Sequence, residues 1–319
     1  MEIVAEQMLP DGDFPTVKFP NPEDPEAFEL ALKLAKETEA DIVLANDPDA
    51  DRIGLFGRDS KTGEYVLFNG NMLALIIAEY VINSKRENGS LPKNPALIKT
   101  IVSSNMADSI ARANGVEIFE VLTGFKNIAS VIREFESNDN SHTCIMGFEE
   151  SYGCLIGEHA RDKDGIIAVQ MLAEAAAFYK TQGLTLWDKM LEMYEKYGYY
   201  KEETIALTFE GAEGAKKIQT MMEDLRNDVP TKFGEYEVLV ARDYSTGKVI
   251  DLKSGAEEIK SLPKSNVLYY ELENDFWVAA RPSGTEPKIK FYMGVKGTSL
   301  EDAKENVSKL SEAVRQIAK

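Results

Sequence analysis

From residue 71 to residue 181, strand-like and helix-like patterns alternate, and this constrains the fold more than any other feature of the sequence. Apolar side chains at helical spacing (Met72, Leu75, Ile76, Ala78, Val81) predict a helix over 71–84. After a polar linker, strands are predicted over 96–102, 116–121 and 143–147, and helices over 106–114, 125–136 and 164–181. Alternation of this kind predicts a doubly wound sheet with helices on both faces, an α/β/α domain. A further helix over 184–197 leads out of it.

The flanks read differently. Asp24 as N-cap and Pro25 at the first helical position open a helix to about Thr38. A short apolar run over 42–45 predicts a buried strand, and Gly57-Arg-Asp-Ser-Lys-Thr-Gly63 predicts a hairpin turn into Tyr65. This is about half of a parallel α/β unit, too small to bury its own core. After Tyr197 come strand 201–209, helix 211–226, and short strands over 236–240, 267–272, 276–280 and 287–294. A last helix, 299–317, starts with Ser299 and Asp302 at capping-box spacing. The predicted fold class is α/β: a partial unit over 1–58, a doubly wound domain over 59–196 and a smaller α+β domain over 197–319.

The strand over 42–45 delivers Asp47-Pro-Asp49-Ala-Asp51-Arg52. In an extended segment the three carboxylates at alternating positions share one side. Two such charges about 4 Å apart repel by roughly 4 kcal/mol at an effective dielectric near 20. A hard divalent cation relieves this, and Mg2+ suits a site that also handles phosphate. An EF-hand is excluded, because loop positions six and twelve hold Arg52 and Arg58 in place of Gly and Glu. An aspartyl-nucleophile phosphatase and a plain solvated turn capped by Arg52 stay open at this point.

Composition narrows the partners. Lys plus Arg number 36 against 54 Asp plus Glu, a net charge of −18, which argues against nucleic acid and anionic membranes. Basic loops are therefore the more informative. Two cysteines, Cys144 and Cys154, build neither a disulfide framework nor a four-ligand zinc site and fit a reducing compartment. The acidic N-terminus is unlike a signal peptide and no apolar stretch approaches a membrane span, so a cytoplasmic protein is expected.

Three further loops carry chemistry. Gly147-Phe-Glu149-Glu150-Ser151-Tyr-Gly153 follows a predicted strand, where ligands of open α/β sheets bind. Its carboxylates and hydroxyl suit vicinal sugar hydroxyls, and Glu149 stands where a nucleophile elbow needs glycine. Arg281-Pro-Ser283-Gly284-Thr285-Glu-Pro-Lys288-Ile-Lys290 joins a guanidinium, hydroxyls and backbone N–H groups in a pattern suited to a phosphate dianion. It lacks the Walker spacing, and either lysine is a candidate to assist it. Glu158-His159-Ala-Arg-Asp-Lys163-Asp164 offers His159 or Lys163 for proton transfer. Taken singly, each loop also reads as an ordinary polar turn.

Together these motifs, with Gly12-Asp-Phe-Pro15 and Pro20-Asn-Pro-Glu23, resemble the α-D-phosphohexomutase superfamily, most closely its bacterial phosphoglucomutase branch. The resemblance spans essentially the whole chain. It implies an isomerase of carbohydrate metabolism that interconverts hexose 1-phosphate and hexose 6-phosphate through a hexose 1,6-bisphosphate. By motif position it implies Mg2+ on Asp47, Asp49 and Asp51, Arg52 beside the transferring phosphoryl group and Lys163 in acid/base work. Glu149 and Ser151 are then expected to bind sugar hydroxyls, and Arg281, Ser283, Gly284 and Thr285 the non-reacting phosphate. The implied ligands are glucose 1-phosphate, glucose 6-phosphate and glucose 1,6-bisphosphate.

One departure matters. The family's phosphoserine sits in a Thr-Ala-Ser-His-Asn-Pro-like loop, and the nearest match here, Ser141-His142, runs on into Thr143 with no Asn-Pro. The resemblance therefore implies a carboxy-terminal portion, inactive alone, whose partner is the missing N-terminal domain of the same enzyme. An aspartate-nucleophile sugar phosphatase and a non-catalytic phosphosugar-binding module are the alternatives.

Overall fold

In the computed structural model, which describes residues 1–138, 141–260, 263–284 and 286–318, the Asp24 carboxylate accepts the Glu26 N–H and Pro25 opens a 3-10 turn. The turn runs into α1 (Glu29–Thr38), which Glu39 ends in the left-handed conformation. Next come β1 (Ile42–Asn46), β2 (Ile53–Arg58) and β3 (Tyr65–Phe68), paired in that order. All pairings are antiparallel, so the half of a parallel unit expected from the sequence is corrected. The loops joining the strands are too short for a parallel crossover, which needs a dozen or more residues. Phe28 is fully buried, meets Phe56 edge-on at 5.0 Å between ring centres, and shares a small core with Ala35 and Val43. The Tyr65 hydroxyl reaches the carbonyls of Ala35 and Ala40 at 3.0 and 2.6 Å, tying the end of α1 to the sheet.

Asn69 caps α2 (Gly70–Glu87), which is buried over most of its length. Then follow β4 (Pro95–Thr100), α3 (Met106–Asn114), β5 (Glu117–Val121), α4 (Phe125–Ser137), β6 (Thr143–Phe148), β7 (Cys154–Ile156), α5 (Gly165–Lys180) and α6 (Leu186–Tyr197). The sheet order is β5-β4-β6-β7. β4, β5 and β6 are parallel, whereas β7 returns antiparallel to β6. α4 packs through Phe125, Ile128, Ile132 and Phe135 onto Ala96, Ile98 and Cys144, while α2 also packs on β6. β7 escapes the sequence pattern because three residues show no period. β4 stops at Thr100, short of 102, because Ser103 N–H turns back to the Thr100 carbonyl. α6 starts where Thr185 and Asp188 cap each other reciprocally. Cys144 and Cys154 are free and buried, and burial pushes both thiols up to about 12.

Contacts divide the chain into two compact units, Met1–Tyr197 and Gly198–Lys319. The second contains β8 (Tyr199–Thr208), α7 (Gly211–Asn227), β9 (Lys232–Phe233), β10 (Tyr236–Asp243), β11 (Lys248–Asp251), β12 (Glu257–Ile259), β13 (Leu268–Leu272), β14 (Trp277–Pro282), β15 (Lys288–Gly297) and α8 (Leu300–Ile317). Its antiparallel sheet has the order β12-β11-β10-β13-β14-β15-β8, with β9 on β10. Val278, Ala280, Ile289, Phe291 and Met293 face the helices, where Leu225, Val307 and Leu310 complete the core. Ser299 accepts the Asp302 N–H at 3.1 Å and starts α8 at the position its spacing predicts. The exposed, Glu-bearing β12 carries no apolar alternation that a sequence reading can detect. Among the described residues no helix is long and apolar enough to cross a membrane.

Phe28 holds the 3-10 turn onto β2, immediately after the acidic loop. Phe28→Ala should cost about 3–5 kcal/mol and lower the first urea midpoint followed by circular dichroism. An unchanged midpoint would remove Phe28 as the anchor of this small core.

Candidate functional site

The acidic loop is a turn, not the extended segment expected from alternation. Asp47 Oδ1 accepts the backbone N–H groups of Asp51 (3.1 Å) and Arg52 (2.9 Å), and Ala50 adopts a left-handed φ of 54°. The Asn46 side chain closes the turn by donating to the Arg52 carbonyl at 2.8 Å. Folded this way, Asp47, Asp49 and Asp51 each place an oxygen within 4.8 Å of the others. Burial raises the Asp47 carboxyl above its ordinary range; the Arg52 N–H opposes the shift, and the Asp51 and Asp49 charges add to it. Arg52 Nε stands 3.7 Å from Asp47 Oδ2 and from Asp51 Oδ1, and its Nη1 meets Glu23 Oε1 at 2.9 Å. Lys163 Nζ pairs with Asp51 Oδ2. Four carboxylates against two cations leave two negative charges on hard oxygen donors, which fits a divalent ion such as Mg2+.

The loop after β6 is attached to this turn. Its Tyr152 carbonyl accepts the Ile53 N–H at 3.1 Å, where β2 begins. A Cβ at Gly153 would lie 2.3 Å from Lys163 Cδ, so the glycine lets the lysine stem cross the loop toward Asp51. Gly165 donates to the Ala50 carbonyl at 2.9 Å, and a Cβ there would meet that oxygen at 2.7 Å. The N-terminus of α5 therefore abuts the acidic turn. Of the two acid/base candidates, Lys163 touches the acidic residues, whereas exposed His159 meets Asp164, the N-cap of α5, at 2.9 Å.

Glu149 is 8% exposed and accepts the Gly124 N–H at 2.7 Å. Burial raises its carboxyl, opposed by that N–H and by the charges of Lys163 and Arg52. Ser151 is half-buried on the same loop, and Glu150 accepts the Thr100 hydroxyl at 3.1 Å. Gly124 was not singled out from sequence; the available signal was a glycine between a predicted strand and a predicted helix.

In the second unit, Arg281 stands one residue before the end of β14 and pairs in register with Lys290 of β15, so both lie on the sheet face turned away from α7 and α8. Lys288, two residues earlier, shares that face. Lys288 has Glu286 at 3.4 Å, but no carboxylate among the described residues forms an ion pair with Arg281 or Lys290. Ser283 shapes the intervening loop by donating its N–H to the Lys288 carbonyl and accepting the Glu286 N–H. Gly284 follows it, and Thr285 lies outside the described residues.

A family model described as "Phosphoglucomutase/phosphomannomutase, alpha/beta/alpha domain II" matches residues 1–61, and the corresponding domain III model matches residues 69–197. The chain belongs to the phosphoglucomutase/phosphomannomutase family. It is 39% identical over 300 residues to a phosphoglucomutase of Staphylococcus saprophyticus, covering 94% of this chain and 53% of that protein. A phosphoglucomutase of Staphylococcus aureus is 38% identical over 306 residues, covering 96% and 54%. The chain thus spans about half the length of the curated relatives it matches. A phosphoglucomutase/phosphomannomutase family protein from Burkholderia thailandensis shares the fold with a TM-score of 0.61 at 16% identity, over 96% of this chain and 53% of that one. Family membership accounts for the α/β/α domain that the sequence pattern predicts.

Glu149 makes a pH prediction. Its folded value is raised, so its stabilising contribution is full below the ordinary value of 4.5 and is lost as pH rises through the folded value. The urea midpoint of the wild type, relative to Glu149→Gln, should fall as pH rises above 4.5. A constant difference would mean that Glu149 is not held against its charge.

Proposed function

We propose that this chain is the portion of a phosphoglucomutase, or of a phosphomannomutase, that positions substrate and metal for interconversion of hexose 1-phosphate and hexose 6-phosphate through a hexose 1,6-bisphosphate. The observation that carries this reading is the meeting of Asp47, Asp49, Asp51, Arg52 and Lys163 beside the Gly147–Gly153 loop, in a chain of this family. Phosphoryl transfer depends mostly on positioning and charge neutralisation. Asp47, Asp49 and Asp51 would hold Mg2+, which supplies neutralising charge at a phosphoryl group when bound. Arg52 adds a second, permanent positive charge on the same side.

The remaining roles belong to this reading. Lys163, paired with Asp51, is the proton donor, and Glu149 and Ser151 accept and orient sugar hydroxyls. Arg281, Ser283, Gly284 and Thr285 bind phosphate; Arg281 and Lys290, without an ion-pair partner among the described residues, support this in a protein whose net charge would otherwise repel an anion. In this scheme residues 1–58 carry the metal loop, 59–196 the sugar loop and 197–319 the phosphate loop. The substrates are glucose 1-phosphate and glucose 6-phosphate, with glucose 1,6-bisphosphate as intermediate; glucose is favoured over mannose by the names of the relatives. The buried free thiols support a reducing, cytoplasmic setting.

We infer that these residues alone do not turn over. Ser141-His142 is no substitute for a phosphoserine loop, since His142 pairs with Glu117 at 2.8 Å and packs on Phe119 and Phe135. The N-terminal domain that bears the phosphoserine in the family is the partner this requires.

Calorimetric titration with glucose 1-phosphate and glucose 1,6-bisphosphate tests the reading. Arg281→Ala should weaken binding at least about tenfold, the size of a lost hydrogen bond to a charged group. Unchanged affinity would end the phosphate-loop assignment, and release of inorganic phosphate during titration would point to a phosphatase. Asp49→Asn should weaken Mn2+ binding at least about tenfold, the loss that even an outer-shell partner brings. A retained isotherm would count against the acidic turn as the metal site.

A further inference from the structure

Arg52 is drawn two ways. Its Nε faces Asp47 and Asp51 at 3.7 Å each, beyond a direct hydrogen bond, while Nη1 is bonded at 2.9 Å to Glu23. A guanidinium cannot discharge, and with no other partner it seeks a paired contact with carboxylate oxygens at about 2.8 Å. The nearest such oxygens are those of Asp47 and Asp51, which a divalent cation also needs. Arginine and metal would then compete for the same lone pairs.

Glu23 stands in a built segment. The Asn21 side chain accepts the Glu23 N–H at 3.0 Å, the Asn21 carbonyl accepts the Asp24 N–H at 3.0 Å, and Pro22 is buried between them. Asp24 then caps the 3-10 turn anchored by Phe28. The carboxylate of Glu23 is thereby presented from a fixed backbone, outside the acidic turn and on the far side of the guanidinium.

We propose that Glu23 is a positioning residue that holds Arg52 off the acidic turn and keeps the Asp47 and Asp51 oxygens open to a divalent cation. The proposal rests on the reading of Asp47, Asp49 and Asp51 as cation ligands. It gives Glu23 a function that acts through Arg52, without contact to metal or substrate. It also explains how one arginine stands next to the Asp47 and Asp51 carboxylates without closing over them.

The test is Mn2+ titration of the full chain, with free ion followed by electron paramagnetic resonance, for the wild type, Glu23→Gln, Arg52→Met and the double variant. Glu23→Gln should bind Mn2+ about fivefold more weakly, the scale of one partly exposed ion pair. In the Arg52→Met background the same change should alter affinity by less than about twofold, the tolerance of such cycles. Far-UV circular dichroism should be unchanged, because Glu23 is exposed. Equal Mn2+ affinity of Glu23→Gln and the wild type would overturn the proposal. An equal loss in both backgrounds would also overturn it, since Glu23 would then act as plain surface charge. A folded wild type that binds no Mn2+ would remove the ligand reading itself, and this proposal with it.

Discussion

Three carboxylates with oxygens inside 4.8 Å repel one another, and the first unit is arranged to hold them in spite of it. The turn gives two backbone N–H groups to Asp47, and two cations face its carboxylates, Arg52 from the turn's own end and Lys163 from elsewhere in the chain. One of them, Lys163, comes from the segment before α5, whose first N–H is bonded to the turn itself. The compensation stops short of neutrality. That remainder is what leaves the turn, in the proposed reading, able to take a divalent ion beside a phosphoryl group.

The surrounding framework is rigid where the site needs it. The loop after β6 is fixed at both ends, by Glu149 N–H to the Gly153 carbonyl and by Ile53 N–H to the Tyr152 carbonyl. Beneath it, Thr100 bonds Glu150 and the fully buried Lys99 reaches Asn105, Asp108 and Glu120 at 2.8, 2.7 and 3.1 Å. A buried lysine without partners would be strongly destabilising; with them it joins β4 to α3 and β5. The residues assigned to sugar and proton handling therefore sit on the ends of strands and helices whose own positions are over-determined.

Much of this was legible in the sequence. The apolar run of β1, the alternation that gives β4 to α5, the Ser299 cap and the acidic, Glu149 and Arg281 loops all carry local signals: period, capping residues and clustered charge. What was missed lacks such a signal. β7 and β12 are too short for a period to register, and β7 runs antiparallel only because the loop of residues 149–153 turns straight back. The acidic segment was read as extended because alternation of aspartates mimics a strand. The Asp47 side chain instead captures its own backbone and bends it, a local competition that Asp residues often win.

The sequence alone determined the chemical inventory and the order of its motifs: clustered carboxylates, then carboxylate and hydroxyl, then a cationic glycine-bearing loop. Inventory is local, because side-chain chemistry travels with the residue. Tertiary structure alone decided the partners: Lys163 and not His159 on Asp51, Gly124 on Glu149, Glu23 on Arg52. Each of these contacts joins residues far apart in the chain, and their geometry exists only after strands and helices have packed. No period or spacing in the sequence encodes the few ångströms that separate a bonded cation from a free one.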